Sequence, residues 1–359
     1  MPSGRQHERH TTTVNLEIDL APVQTWLRER GIGDSITDAR ALTGGTQNRV
    51  IALEVDGRRL VLRCPPVHPR PSSNRTMLRE VAALTSLAGT EVPHPRLVAC
   101  CDDLAVMDMV FYLMEEVDGF NPGDNISEHY SADAATRHES GLAVARALAA
   151  LGELDPTGTP MAGFAKPGSF LDRQVDQWVG VLAGYDYGDA EARDLPDVGP
   201  TVQWLRNHQP ADPRPGIMHG DFHLNNVLLD AHRPEVAAIV DWEMCTVGDP
   251  LLDLGWLLAC WPQDPAPVAT GERLAAAGGL PARRQVIEAY AATSSRSTDQ
   301  IDWYTALAGF KMAVVLEGTW VRALSGRAPR EIGEHLHRCA IGLFELSARI
   351  AVGDWSPSR

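Results

Sequence analysis

Lysine is nearly absent from this sequence. Only Lys166 and Lys311 occur, against thirty arginines, and no lysine precedes residue 166. Basic runs are missing too, and the formal net charge is -15. That argues against nucleic acid or an anionic membrane as a main partner. An acidic balance can draw in cationic substrates, though in most proteins it serves only solubility. No apolar run reaches the length of a bilayer, because Asp253 and Gly255 interrupt the best candidate. The N-terminus lacks the continuous apolar stretch of a signal peptide. The six cysteines, at positions 64, 100, 101, 245, 260 and 339, show no CxxC spacing. Reduced core thiols of a cytoplasmic protein are the expectation. No internal repeat is visible. The 359 residues, 44% of them hydrophobic, suffice for one two-lobed unit or two domains.

What is present concentrates in one stretch. Ile217 to Asp230 reads IMHGDFHLNNVLLD, and Val236 to Glu243 reads VAAIVDWE. Short β-branched runs flank a polar loop, the pattern of strand, loop, hairpin and strand. Asp221, Asn226 and Asp241 follow one another at spacings of five and fifteen residues. Kinase-type phosphoryl transfer needs such a set: one carboxylate to receive or orient a hydroxyl proton, and an amide oxygen and a second carboxylate to hold Mg²⁺ on nucleotide phosphates. Two plainer readings compete. An Asp followed by Asn is often a turn, and His219, Asp221 and His223 alternate like zinc ligands. Hard oxygen donors suit Mg²⁺ better than zinc, and no further His or Cys cluster lies nearby in sequence.

The pattern His-Gly-Asp-x4-Asn, then Asp-Trp-Glu, then Gly-Asp-Pro-x-x-Asp-Leu over 248–254, resembles the aminoglycoside phosphotransferase and choline kinase-like family. Within it, the chain is most similar to the branch that includes kinase-like domains fused to acyl-CoA dehydrogenases. The string from Phe164 to Trp178 and the helix around Gly309 to Arg322 carry that second likeness. The resemblance spans about residues 35 to 350. It implies an α+β, protein-kinase-like bilobal fold, with an N-terminal antiparallel sheet lobe and a mainly helical C-terminal lobe. The boundaries expected are a disordered tail over 1–14, a nucleotide-covering lobe over 15–114, a hinge over 115–119, and a lobe over 120–354 carrying the catalytic loop and acceptor site.

The resemblance also implies roles. Asp221 would be the catalytic carboxylate, and Asn226 and Asp241 the metal ligands. Gly44 and Gly45 would belong to the loop over the phosphates, while Arg63, oriented by Glu80, would contact them. Arg replaces the lysine of protein kinases here, and its planar, permanently charged fork can bridge phosphate and carboxylate. Adenine would bond to backbone near Glu115 to Val117, with Met114 shaping its pocket. Arg173, Gln174 and Trp178 are candidate acceptor contacts, although an amphipathic helix packing on its neighbours is the first reading of any one of them. His223 stands where the related branch often carries Arg. Asp253 sits inside an apolar run and must be bonded; holding the catalytic loop through backbone N–H groups is its expected job. His219 reads as a second loop-fixing residue.

Along the rest of the chain, helices are expected over 22–30, 77–88 (capped by Asn74 or Thr76), 131–154, 170–182 (capped by Ser169), 201–208, 251–260, 282–292, 301–324 and 330–350. Strands are expected over 49–55, 59–64, 97–101 and 107–115, with Asp56-Gly57 as a tight hairpin turn. Residues 262–280 read as a loop. The functional expectation is an ATP- and Mg²⁺-dependent phosphotransferase, GTP being possible, acting on a hydroxyl of a small molecule. That molecule would be a metabolite such as a hydroxyacyl thioester, or an aminoglycoside-like antibiotic. The protein would be a monomer or homodimer. The alternative is a non-catalytic, kinase-like nucleotide-binding module.

Overall fold

Alternation of side chains builds the first sheet. In the computed structural model, which describes residues 18–42, 48–188, 193–263, 267–268 and 270–355, five strands pair: β1 (Ile36–Ala41), β2 (Arg49–Val55), β3 (Arg58–Cys64), β4 (Leu97–Cys101) and β5 (Phe111–Glu115). Their order is β1-β2-β3-β5-β4, antiparallel throughout. Ile51, Leu53 and Val55 share one face with Leu60, Leu62, Phe111 and Leu113, and pack with Trp26 and Leu27 of helix α1 (Ala21–Glu29). A period of two assigns the neighbours of these residues to the other face. That face carries Val61, Arg63 and Tyr112.

The turn between β2 and β3 has Asp56 at φ 48° and Gly57 at φ 79°. Two left-handed residues in succession match the right-handed twist of the strands. The Asp56 carboxylate accepts from the backbone N–H of Asp34 at 2.6 Å and of Ser35 at 3.1 Å, so it also fixes the entry to β1.

Contacts group the chain into two units, Met1–Val81 with Arg96–Glu116, and Ala82–Pro95 with Val117–Arg359. The first holds the sheet. The second is mainly helical, and two small antiparallel pairs frame the polar loop: β6 (Gly216–Met218) with β9 (Thr246–Gly248), and β7 (Val227–Leu229) with β8 (Val236–Ile239). Helix α8 (Leu251–Ala259) is buried along its whole length. It packs on α11 (Ile301–Leu324), which packs in turn on α12 (Arg330–Ala351). This is the α+β, kinase-like arrangement expected. Among the described residues no helix is long and apolar enough to cross a membrane. All six cysteines are free thiols.

Several boundaries differ from the sequence reading. Helix α2 (Ser73–Leu87) begins before the proposed caps, and Asn74 instead accepts from Val110 N–H at 3.0 Å. The strand expected from residue 107 starts at Phe111. A short helix, α3 (Leu104–Met107), precedes it, capped by the Asp103 carboxylate and closed by Asp108 at φ 56°. The helix expected over 131–154 is split into α4 (Glu128–Ala132) and α5 (Ala134–Gly152), because Asp133 caps Ala135 and Thr136 N–H. β1 was missed, since its charged and exposed residues show no apolar alternation. Helix α9 (Glu272–Ala276) lies inside the expected loop. The 1–14 tail falls outside the described residues.

Asp56→Ala removes both bonds and places a Cβ-bearing residue with no compensating acceptor at positive φ. A loss of about 1–3 kcal/mol in unfolding free energy is expected, read from denaturant titration.

Candidate active site

The site is built on one buried carboxylate. Asp253 is the only charged residue of α8 and is 1% exposed. Its Oδ2 accepts from His219 N–H at 2.7 Å and its Oδ1 from Gly220 N–H at 2.9 Å. Burial pushes this carboxyl above its usual range, although those bonds and the charges of His219 and Lys311 oppose it. Gly220 has φ +87°, and a Cβ there would collide with the Met244 carbonyl oxygen. Only glycine lets the loop turn so close to the following segment.

His219 ties the loop to the second hairpin strand. Its Nδ1 accepts from Asp221 N–H at 3.4 Å, which puts the proton on Nε2, 2.8 Å from the Val240 carbonyl. The ring lies 4.9 Å from that of Trp242. Both ring nitrogens are engaged, so the zinc-like alternation of His219, Asp221 and His223 has no metal-ligand counterpart. Among the described residues, no three His, Cys, Asp or Glu side chains converge as a metal site.

Asp221 and Asn226 are brought into contact. The Asn226 side-chain amide donates to the Asp221 carbonyl at 2.8 Å and to Asp221 Oδ2 at 3.2 Å. Its Oδ1 accepts from no donor among the described residues and stays available to a cation. Asp241 follows Val240, whose N–H donates to the Asn226 carbonyl at 2.9 Å. Asp241 itself is left-handed, φ 64° and ψ 63°. Asp tolerates that region better than most residues, but it is held there by its surroundings. Asp221 and Asn226 offer carboxylate and amide oxygens, donors suited to Mg²⁺.

His223 stood out in the sequence as a departure from the related branch and as one of three positions alternating like zinc ligands. Its Nε2 lies 3.5 Å from Asp221 Oδ1, and its Nδ1 accepts from Asn225 N–H at 3.2 Å. Burial pushes the Asp221 carboxyl up. The hydrogen bond from His223 and the electrostatic influence of His223, His219 and Lys311 outweigh it, and the carboxyl is held at about 2.

In the sheet unit, Arg63 Nε lies 2.7 Å from Glu80 Oε2, with both side chains buried. Tyr112, the register partner of Arg63, donates its hydroxyl to the same oxygen at 2.7 Å. Met114 and Glu115 end β5. The N–H of Glu115 is taken by the Arg96 carbonyl and that of Glu116 by the Arg59 carbonyl. The N–H of Val117 has no partner among the described residues. The Glu115 side chain is paired with Arg96. Gly44 and Gly45 lie outside the described residues.

A cavity of about 150 Å³ opens beside Gly220. Arg173, Gln174 and Trp178 all line it, on α6 (Phe170–Ala183), whose first turn Ser169 caps through Asp172 N–H. Lys166 and Lys311 line it as well. The sequence signal for them was their rarity, which marks no position by itself.

Comparison with known proteins decides the family. The model of the phosphotransferase enzyme family matches residues 38–288, well over half of the chain. The chain belongs to that family. Family relatives include mouse acyl-CoA dehydrogenase family member 10, 27% identical over 84% of this chain and 28% of that protein. Chicken acyl-CoA dehydrogenase family member 11 is 27% identical over 87% of this chain and 40% of that protein. The chain thus spans well under half the length of these relatives. Among solved structures, a putative aminoglycoside phosphotransferase from Ralstonia eutropha aligns with TM-score 0.73 and 24% identity, covering 92% of this chain and 98% of that one. Aminoglycoside 2'-phosphotransferase-IIIa in its GDP complex aligns with TM-score 0.61 and 18% identity, over 93% and 98%. These likenesses establish the kinase-like fold.

Asp253→Ala would strand two buried N–H groups. Unfolding free energy should fall by roughly 2–5 kcal/mol, and Asp253→Asn, which keeps one acceptor, by less. Chemical denaturation of the two variants gives the comparison.

Proposed function

We propose that this phosphotransferase transfers the γ-phosphoryl group of ATP to a hydroxyl of a small molecule, with Mg²⁺. The single observation that carries the reading is the contact of Asp221 with Asn226 in a loop pinned by Asp253. In this reading residues 15–114 cover the nucleotide, 115–119 form the hinge, and 120–354 carry the catalytic loop and acceptor site. The free N–H of Val117 is the backbone donor for the base, adenine or guanine. Arg63, held by Glu80, contacts the phosphates. Asn226 Oδ1 and Asp241 hold Mg²⁺, which neutralises charge on the phosphates.

Asp221 accepts a hydrogen bond from the acceptor hydroxyl and aims its oxygen at the γ-phosphorus. The acceptor O–P bond forms as the bridging P–O bond to the β-phosphate breaks, and ADP leaves. A carboxylate with a pKa of about 2 is a weak base. It therefore orients the hydroxyl and receives the proton late, when the oxygen is already bonded to phosphorus. Catalysis is then mostly positioning and charge neutralisation. Family relatives are fused to or named for acyl-CoA dehydrogenases, and structural neighbours for aminoglycosides, so both a hydroxyacyl metabolite and an antibiotic are acceptor candidates.

Asp221→Ala should lower phosphate transfer by roughly 10²–10⁴-fold while leaving nucleotide affinity nearly intact. Asp241→Ala should instead weaken Mg-ATP binding in calorimetry. Parallel loss of both properties in both variants would contradict the division of roles, and a thermal response to Mg-ATP without phosphate transfer to any hydroxylated small molecule would favour the nucleotide-binding module.

Because the folded Asp221 carboxyl is depressed below its ordinary value, it stays ionised from neutral pH down to about pH 4, and its charge is lost only as pH falls toward 2. In His223→Ala, burial is less opposed and the carboxyl titrates higher. The acidic limb of the kcat–pH profile is expected to move to higher pH in that variant relative to the wild type.

A further inference from the structure

The charge of the cavity beside Gly220 is opposite to that of the whole chain. Lys166, Arg173 and Lys311 line it, and no acidic side chain does among the described residues. Both lysines of the sequence are therefore in one place, in a chain whose net charge is -15.

Lys311 is the unusual member. It is 7% exposed, on a helix that is otherwise apolar around it. Its ammonium carries three donors. Among the described residues it makes no hydrogen bond and no ion pair. Its Nζ lies 4.9 Å from the ring centre of Trp256 and 5.5 Å from that of Trp178. Ring faces attract a cation but accept no conventional hydrogen bond. Burial pushes the Lys311 ammonium below its usual range, and Asp253 and Asp221 oppose that through space, yet the Asp253 oxygens are already bonded to His219 and Gly220 N–H. A buried ammonium without an acceptor is costly unless a ligand supplies one.

Arg173 is fixed for the same task. Its Nη1 donates to the Pro167 carbonyl at 2.6 Å and to the Ser169 carbonyl at 2.8 Å. Neutral carbonyls position the guanidinium without cancelling its charge. Lys166, exposed, adds a third positive group.

We infer that the acceptor is an anion, a hydroxylated molecule bearing a carboxylate or phosphate that Lys311 binds in this cavity with Arg173 and Lys166. The inference rests on the phosphotransferase reading. Gly220 lines the cavity and Asp221 follows it, so an anion seated at Lys311 has its hydroxyl within a short reach of the transferring group. A polycationic aminoglycoside would meet three like charges in a cavity whose lining carries no carboxylate, and like-charge repulsion disfavours that.

Two lysines make the test direct. Protein labelled with ¹³C at lysine Cε gives two lysine signals, and that of Lys311 is the one lost in Lys311→Met. Titration with 3-hydroxybutyrate and with glycerol 2-phosphate, each in the presence of Mg-ADP, should move the Lys311 signal saturably for at least one of them. Kanamycin should not move it. The arm that responds tells carboxylate from phosphate. Transfer from labelled ATP should follow the same order, with KM for the responding anion raised at least about tenfold in Lys311→Met and also raised in Lys166→Glu, a surface change that leaves the core untouched. Saturable binding or phosphorylation of kanamycin with neither anion active would overturn the inference while the phosphotransferase reading stood. An unmoved lysine signal in all three titrations overturns it equally. Absence of any Mg-ATP binding would instead remove the reading beneath it.

Discussion

One carboxylate inside a hydrophobic helix governs the arrangement of the polar loop that carries Asp221 and Asn226. Asp253 satisfies the N–H groups of His219 and Gly220 from below, and those two bonds decide where the next residue, Asp221, stands. The same loop is clamped from the side by His219, whose ring reaches the Val240 carbonyl. Val240 in turn donates to the Asn226 carbonyl. The loop is thus held largely through backbone groups, with the Asn226 amide also donating to the Asp221 carboxylate. The cost is a carboxylate and two amides out of water, tolerable only because every member of that small network has a partner.

The electrostatics follow from this burial. Asp253 and Asp221 lie close in the fold but respond in opposite directions. Burial raises the first, whose partners are mainly dipoles. It raises the second too, but the hydrogen bond from His223 and the electrostatic influence of His223, His219 and Lys311 outweigh it. The first carboxylate fixes backbone N–H groups, and the second stays ionised at neutral pH. Lys311 couples to both, so the cavity beyond Gly220 is electrostatically part of the same machinery.

In the sheet unit the deciding device is parity. Leu60, Leu62 and Cys64 point to the face packed by α1, so Val61 and Arg63 must point to the other. Arg63 is thereby delivered to Glu80, and Tyr112 closes the pair from the neighbouring strand. Breaking a buried ion pair of this kind costs more than the pair contributes, because the survivor is left charged and dry.

Much of this was legible in the order of residues. The spacing of Asp221, Asn226 and Asp241, the β-branched runs beside them, and the buried Asp253 are local patterns, and local patterns reflect backbone rules that the chain carries with it. The Asp56-Gly57 turn and the 301–324 helix are of the same kind. What the sequence left undecided depends on distant segments meeting. A strand such as β1, polar along most of its length, exists because β2 pairs with it. Lys311 reaches the cavity beside Gly220 from about ninety residues away because α11 packs on α8. Pairing across such distances is set by the whole core, and net charge, a sum over the chain, cannot show where three positive groups gather.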